Sequence, residues 1–413
     1  MAIVVGIQKQ GDELEQVSAD LDELARLLNT LGVLCCSRLV QKRQKLSPGY
    51  LIGLGKIQEL CALARENGAT WVVVDHPLSG AQIKNLEKLT ACQVLDRSAI
   101  ILDIFAKHAK SKEAKTQVEI ARLEYLLPRM VGAWTHFEKQ SGGHIAMRGA
   151  GEKQIEIDRR RARERIGRLQ KKLDTIRKER DTQRKQRRNA LKVSIVGYTN
   201  SGKTTLMNAL THSGVKGEDK LFATLDAAVR AIDPGTRPGI LLSDTVGFIR
   251  NLPPMLVASF KSTLEEVLSA DLLIHVVDVS AENYAVQMQT TEMVLKEIGA
   301  GEIPIVLVFN KIDCIQDPLM EKLLRKKFRN HCVISAFSLD DVKNLRTHIF
   351  NFFTEQFAEA HLLIPYDNYP AWSLVHRSCM IVHASYETEG FGNFHVKAAP
   401  PVLAKLQDFI AIN

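Results

Sequence analysis

The stretch Leu191–Thr205, LKVSIVGYTNSGKTT, decides the fold. Its apolar run VSIVG reads as a strand, and the residues after Lys203 read as the opening of a helix. Between them, Gly197–Thr204 (GYTNSGKT) fits the pattern G-x-x-x-x-G-K-[Ser/Thr] in the strand–loop–helix setting that the mechanism of a phosphate-binding loop requires. Glycine at both ends lets backbone N–H groups approach a β-phosphate without a Cβ in the way. Lys203 is then expected to reach β- and γ-phosphates, the Thr204 hydroxyl to coordinate Mg²⁺, and the helix N-terminus to add a favourable partial charge.

Three further elements follow in order, each just after an apolar strand-like run. DTVGF (Asp244–Phe248) offers a carboxylate that can hold Mg²⁺ through water and a Gly247 N–H that can sense a γ-phosphate. NKID (Asn310–Asp313) offers Asp313, which can accept two hydrogen bonds from guanine N1–H and its exocyclic amine, a donor pair that adenine lacks. Asn310 can bridge the base and the phosphate loop, and the Lys311 stem can stack on the ring. SAF (Ser335–Phe337) offers the Ala336 N–H to guanine O6. Thr224, in LFATLD between the first two elements, stands where a hydroxyl can close over Mg²⁺ in a triphosphate state.

The nucleotide-contacting set expected from these elements is Gly197, Tyr198, Thr199, Asn200, Ser201, Gly202, Lys203, Thr204, Thr205, Phe222, Ala223, Thr224, Asp244, Thr245, Val246, Gly247, Asn310, Lys311, Asp313, Ser335, Ala336 and Phe337. Lys203, Thr224 and Gly247 are the catalytic candidates, and Thr204, Thr224 and Asp244 (through water) the Mg²⁺ candidates, with GTP as substrate. The position directly after the Asp-x-x-Gly element, where many GTPases carry a water-orienting glutamine, is Phe248. Either intrinsic hydrolysis is slow until a partner supplies order, or Phe248 packs inward while hydrolysis is assisted elsewhere.

Strand candidates VSIVG, GILLSDT, LLIHVVDV, IPIVLVFN and CVISA alternate with helices, the rhythm of a doubly wound α/β sheet. Residues 1–110 repeat that rhythm on a smaller scale, with strands at AIVVGI, TWVVVD and CQVLD and helical spacing over Leu14–Leu31 and Gln82–Leu89. Ser111–Leu127 reads as a helix, and SGGHIAMRGAG (Ser141–Gly151) as a loop. A long polar helix follows, with a stripe at Ala162, Ile166, Leu169, Leu173 and Ile176 that is expected to pack on the preceding helix as a hairpin. After residue 357, MIVHASYE and NFHVKA read as strands and PVLAKLQDF as a helix. The expected organisation is an α/β domain at 1–110, a helical hairpin at 111–190, a P-loop GTPase domain at 191–356 and a small α+β domain at 357–413.

The net charge of +8 is concentrated. Between Glu152 and Lys192 there are 17 Lys and Arg against 7 Asp and Glu, a local +10 that leaves −2 for the rest. That segment is a candidate polyanion-binding surface, with an ordinary solvated helix face as its rival. The seven cysteines form no Cys-x-x-Cys pair, and the histidines, such as His76, His108, His136 and His144, lack metal-ligand spacing. No apolar run approaches the roughly 18 residues that span a bilayer. A cytoplasmic protein is expected, at most peripheral to a membrane.

With these motifs in hand, the chain resembles the HflX family of ribosome-associated GTPases. The resemblance extends beyond the GTPase motifs to GYLIGLGKIQEL (Gly49–Leu60), HPLSGAQIKNLE (His76–Glu87), LDRSAIILDIFAKHA (Leu95–Ala109), KTQVEIARLEYLLPRM (Lys115–Met130) and SGGHIAMRGAGEKQIEIDRR (Ser141–Arg160). The hydrophobic residue in the glutamine position also looks like this family. One departure is visible: the family's loop reads close to GGxGxRGPGETQLE, whereas Ile145-Ala146 and Ala150 here replace a glycine and a proline.

The resemblance implies binding to the large ribosomal subunit, stimulation of GTP hydrolysis there and, in some members, splitting of stalled or stressed ribosomes. It also implies that the hairpin loop faces the peptidyl-transferase region, which makes Arg148, Lys153, Arg159, Arg160 and Arg163 candidates for rRNA contact. A monomer is expected, with no DNA partner and no integral membrane association. A large-subunit assembly or quality-control GTPase that binds without splitting needs the same switch and the same basic helix, so it stays open. A metabolic enzyme would need an acid/base or nucleophile constellation in residues 1–110, and none is legible there.

Overall fold

The computed structural model describes residues 1–130, 152–185, 190–212, 221–222, 228–233, 235, 237–250, 261–315, 317–328, 330–386 and 390–411. The chain divides into two compact units. The first comprises Met1–Lys178, Lys220–Leu225 and Asn251–Lys261; the second comprises Glu179–Asp219, Asp226–Arg250 and Ser262–Asn413.

In the first unit, β1 (Ala2–Gln8), β2 (Cys35–Lys42), β3 (Trp71–Val74) and β4 (Gln93–Asp96) form a sheet in the order β2-β1-β3-β4, every neighbouring pair parallel. Its central strand is an uninterrupted apolar run, as expected of a parallel strand covered on both faces. Helix α1 (Leu14–Leu31) turns Val17, Leu21, Leu24, Leu27 and Leu28 inward and ends at Gly32, whose φ of 84° closes the last turn. Helices α2 (Leu54–Glu66), α3 (Gly80–Thr90) and α4 (Arg97–His108) complete the layers. Ser79 and Gln82 form a reciprocal capping box at the start of α3.

Helix α5 (Lys112–Leu126) begins at the Ser111 cap, and α6 spans Glu152–Lys185. The stripe on α6 packs on α5: Ile166, Leu169 and Leu173 bury with Ile120, flanked by Leu123 and Leu127. An Arg165–Glu119 ion pair at 2.8 Å adds a polar contact between the two helices. The glycine-bearing loop between them, with Arg148, lies outside the described residues.

The second unit holds β5 (Leu191–Gly197), β6 (Ala228–Ala231), β7 (Ile240–Asp244), β8 (Leu272–Asp278), β9 (Ile305–Asn310) and β10 (His331–Val333) in the order β10-β9-β8-β5-β7-β6. Strand β5 opens through residues 198–202 onto helix α7 (Lys203–Thr211). All pairs are parallel except β6 with β7, an antiparallel edge strand that the motif reading did not resolve. Its short connection to β7 accounts for the direction, since parallel neighbours need a crossover. The fold is thus the doubly wound α/β sheet expected from the sequence.

A separate three-stranded antiparallel sheet follows, β11 (Ala358–Pro365), β13 (Phe391–Ala398) and β12 (Met380–Ser385) in the order β11-β13-β12. The helix expected over PVLAKLQDF is shorter: Pro400–Ala404 is helical and Gln407–Phe409 forms a 3₁₀ turn. Leu403 and Leu406 both bury in the same core, which the break between the two turns allows. Among the described residues no helix is long and apolar enough to cross a membrane.

A candidate nucleotide site at the carboxyl ends of the second sheet

The four motifs converge where β5, β7, β9 and β10 end, the edge at which open α/β sheets present ligand crevices. The phosphate loop is built by backbone constraint. Asn200 and Gly202 have φ of 63° and 92°, so the chain turns back on itself before α7 starts at Lys203. A side chain at Gly202 would be strained, because its φ is one that L residues rarely adopt and a Cβ would collide with Asn310 Nδ2 unless that amide moved.

Asn310 is a staple between two loops. Its Nδ2 donates to the Ser201 carbonyl at 2.9 Å, and its Oδ1 accepts from the Ala336 N–H at 3.0 Å. The loop carrying Ala336 is held from its other side, where the Ser335 N–H donates to Asp341 Oδ2 at 2.9 Å. Lys311 adopts φ 67° and pairs through Nζ with Asp278 Oδ2 at 2.6 Å, which fixes its stem. Asp278 was missed in the sequence reading; its signal is its place at the end of the apolar run LLIHVVD. Asp313 and Phe337 are exposed, so their side chains are open to a ligand.

Lys203 is buried, and its Nζ donates to the Tyr198 carbonyl at 2.6 Å. Burial pushes its pKa down to about 8; Asp244 opposes the shift and Lys311 adds to it. An ammonium so short of solvent is primed for an anion that restores its favourable surroundings. Thr204 Oγ1 donates to Asp244 Oδ2 at 2.7 Å, which brings a hydroxyl and a carboxylate oxygen together at the start of α7. A hard-oxygen pair beside a phosphate loop is the donor chemistry that suits Mg²⁺. Thr205 sits half-buried in the first turn of α7.

The DTVGF loop lies directly on the phosphate loop. The Thr199 N–H donates to the Phe248 carbonyl at 2.7 Å, and the Phe248 N–H to the Gly197 carbonyl at 3.1 Å. The Arg250 N–H donates to the Tyr198 hydroxyl at 2.9 Å. Gly247 is packed so closely that a Cβ would stand 2.9 Å from both Lys203 Nζ and Thr199 Cα. Thr245 is buried and donates to the Ile195 carbonyl at 2.7 Å, and Val246 is buried beside it. Phe248 is 3% exposed, so its ring packs inward and the backbone alone faces the phosphate loop. Tyr198 therefore has a second role that its motif position did not reveal: carbonyl to Lys203, hydroxyl to Arg250.

Ala223 and Thr224 lie outside the described residues. Phe222, just before them, is buried at φ 58° and sets its ring edge-on to Phe105 at 4.7 Å, both residues being in the first unit. In the basic helix, Arg160 and Arg163 are exposed, whereas Arg159 donates to the Met130 carbonyl at 3.0 Å.

A P-loop nucleotide-binding domain with a guanine-type base loop is the class that this fold and site define. Three family models match the chain: "GTP-binding GTPase N-terminal" over residues 18–106, "GTP-binding GTPase Middle Region" over 108–187 and "50S ribosome-binding GTPase" over 192–311. The GTPase HflX of Gluconacetobacter diazotrophicus is 39% identical over 447 residues, covering 100% of this chain and 98% of that relative. The Escherichia coli GTPase HflX is 46% identical over 300 residues, 72% of this chain and 70% of that relative. Among solved structures, a GTP-binding protein from Sulfolobus solfataricus in complex with GDP is 27% identical at a TM-score of 0.44, covering 85% of this chain and 98% of that one. The chain belongs to the HflX family of ribosome-associated GTPases, and it is a GTPase.

Proposed function

We propose that the chain is a GTP-driven switch that binds the large ribosomal subunit and splits stalled or stressed ribosomes. The observation that carries the nucleotide half is the convergence of Lys203, Gly247, Asn310 and Ala336 on one crevice, tied together by the Asn310 staple. The ribosomal half is supported by family membership and by the exposed Arg160 and Arg163 on a helix that carries the chain's excess charge. Lys and Arg bind phosphates largely without sequence readout, which suits rRNA.

In this reading the N–H groups of the phosphate loop cradle the β-phosphate, and Lys203 neutralises the β- and γ-phosphates. Thr204 and Asp244, with Thr224, would hold Mg²⁺, whose charge would stabilise the negative charge that builds up on the leaving diphosphate. Asp313 selects guanine by accepting from two ring donors, the Ala336 N–H donates to O6, and Lys311 covers the ring. Gly247 offers its N–H to the γ-phosphate, so loss of that phosphate frees the 247–250 loop. Phe248 cannot orient water, so turnover is slow until the ribosome orders the site. The useful output is a change of partner.

GTP turnover measured with and without purified large subunits, across a salt series and beside a Lys203→Ala control, tests the switch. Stimulation that fades with salt is expected; turnover indifferent to the subunit would remove the ribosome from the reading. Light scattering of intact ribosomes mixed with the protein and GTP tests splitting. A constant signal despite demonstrated binding would favour an assembly or quality-control role instead.

A further inference from the structure

The small C-terminal sheet carries an exposed aromatic cluster that the GTPase site does not use. Trp372 is its hub, in the helix Tyr369–Ser378. Its ring lies 5.7 Å from Tyr366, 6.0 Å from Tyr386 in stacked geometry and 4.9 Å edge-on from Phe394. Its indole N–H donates to the Pro365 carbonyl at 2.8 Å, and the Tyr366 hydroxyl donates to the Tyr386 carbonyl at 2.8 Å. Gly392 makes room for it, since a Cβ there would stand 2.7 Å from the indole. The rings are thus held by a built framework.

The tyrosines around Trp372 are nonetheless open to solvent. Tyr366 is 41% exposed, Tyr369 78% and Tyr386 55%. Tyr369 stands three residues before Trp372 on one helix, and Tyr366 and Tyr386 flank the Trp372 ring, so all belong to the same end of the sheet. Contiguous exposed aromatic surface on a framework of this kind marks an interaction site, in contrast to singly scattered apolar residues. Tyrosine and tryptophan are also the residue types enriched at the energetic centres of protein interfaces.

Charge chooses the occupant. Residues 357–413 contain three basic residues, Arg377, Lys397 and Lys405, against five acidic ones, a net of −2. Lys397 is paired with Glu359, and exposed Asp367 adjoins Tyr366. Single-stranded nucleic acid binds aromatic platforms that sit in positively charged grooves, because its phosphates must be neutralised. Among the described residues, Arg377 is the one arginine or lysine on the Trp372 helix, whereas the cationic excess of this chain belongs to the helix Glu152–Lys185. Arginine and lysine side chains of a protein, by contrast, gain from tyrosine and tryptophan faces and from neighbouring carboxylates.

We infer that the aromatic patch of Tyr366, Tyr369, Trp372 and Tyr386 docks a lysine- and arginine-rich protein surface of the large ribosomal subunit. The inference rests on the proposed ribosome-binding function and divides the labour: basic helix to rRNA, aromatic patch to ribosomal protein.

The test uses the full chain loaded with a non-hydrolysable GTP analogue and the double variant Tyr369→Ser/Tyr386→Ser. Its probes are purified large subunits and protein-free large-subunit rRNA. The variant is expected to bind intact subunits about tenfold more weakly or worse while binding free rRNA like wild type. Equal affinity for subunits, or a parallel loss on free rRNA, would overturn the proposal, the second outcome marking a nucleic-acid platform. Wild-type binding to subunits reports on the ribosome reading itself; the ratio of variant to wild type reports on the patch. A photo-crosslinking benzophenone side chain at position 369 gives a readout that does not depend on the variant's stability. A crosslinked protein is expected, and a crosslink to rRNA would refute the assignment.

Discussion

Asn310→Ala should damage both the stability of the nucleotide-binding unit and its grip on guanine nucleotide, because Asn310 ties the phosphate loop to the base loop. The side chain is 2% exposed and makes two hydrogen bonds, to the Ser201 carbonyl at 2.9 Å and from the Ala336 N–H at 3.0 Å. Truncation strands both partners in a buried setting, at a cost of about 1–3 kcal/mol for each. The midpoint, about 4 kcal/mol, corresponds to a fall of roughly 8–16 °C in the unfolding temperature of a domain of this size. The untethered phosphate and base loops must also be ordered again on binding, so GDP affinity should drop by about ten- to a hundredfold. Differential scanning calorimetry of the ligand-free protein and titration with a fluorescent GDP analogue check the two halves separately. A fall of less than about 3 °C, together with GDP affinity within about threefold of wild type, would refute the staple. Asn310→Asp sharpens the comparison: it keeps the acceptor for Ala336 but sets an anionic oxygen against the Ser201 carbonyl, so it should recover little.

Lys203→Ala should weaken GTP binding by about a hundredfold or more, since it removes charge-assisted bonds. With the ligand-free pKa pushed down to about 8, wild-type affinity should also fall as pH rises beyond that value, because binding must then return a proton to the ammonium. The depressed pKa of His275 makes a separate test: burial, then the Lys203 charge, push it down from 6.5 to about 4, and neither ring nitrogen has a partner among the described residues. The unfolded chain takes up this proton first, so stability should fall between about pH 6.5 and 4, by about 3 kcal/mol at the limit, and His275→Leu should flatten that part of a melting-temperature profile. Tyr198→Phe removes the hydroxyl that accepts from Arg250 at 2.9 Å; kcat for GTP should drop about fivefold with KM little changed, whereas a rise in KM alone would assign the tyrosine to ground-state binding. Arg160→Ala/Arg163→Ala should lower the salt slope of subunit binding by about one unit for each rRNA phosphate that the variant no longer neutralises.

Most of the candidate crevice was legible because the residue types that suit a phosphate or a base cluster within a few positions of the sequence. GYTNSGKT and NKID announce themselves since a phosphate loop and a base loop each fit within a few residues after a strand. What stayed hidden are the contacts that fasten these loops to one another. Asp278 reaches Lys311, Asp341 reaches Ser335 and Tyr198 reaches Arg250 across gaps of 33, 6 and 52 residues, and no periodicity encodes such partners. The strand β6 escaped for a related reason: AVRA is short and half-buried, so its pairing with β7 is settled by the neighbour rather than by its own pattern.

The position of Phe248 joins these two classes of information. Phe248 cannot hydrogen-bond water, and its burial shows that the ring packs inward. With the side chain withdrawn, the loop can meet the phosphate site only through its backbone, and that backbone is already bonded to Gly197 and Thr199. A glutamine acts on water one side chain at a time; a backbone clasp moves the whole 247–250 segment with the phosphate loop. Hydrolysis in such an arrangement is expected to respond to anything that shifts that segment. That is the behaviour suited to a switch whose rate is meant to be set from outside, by the partner that orders the loop.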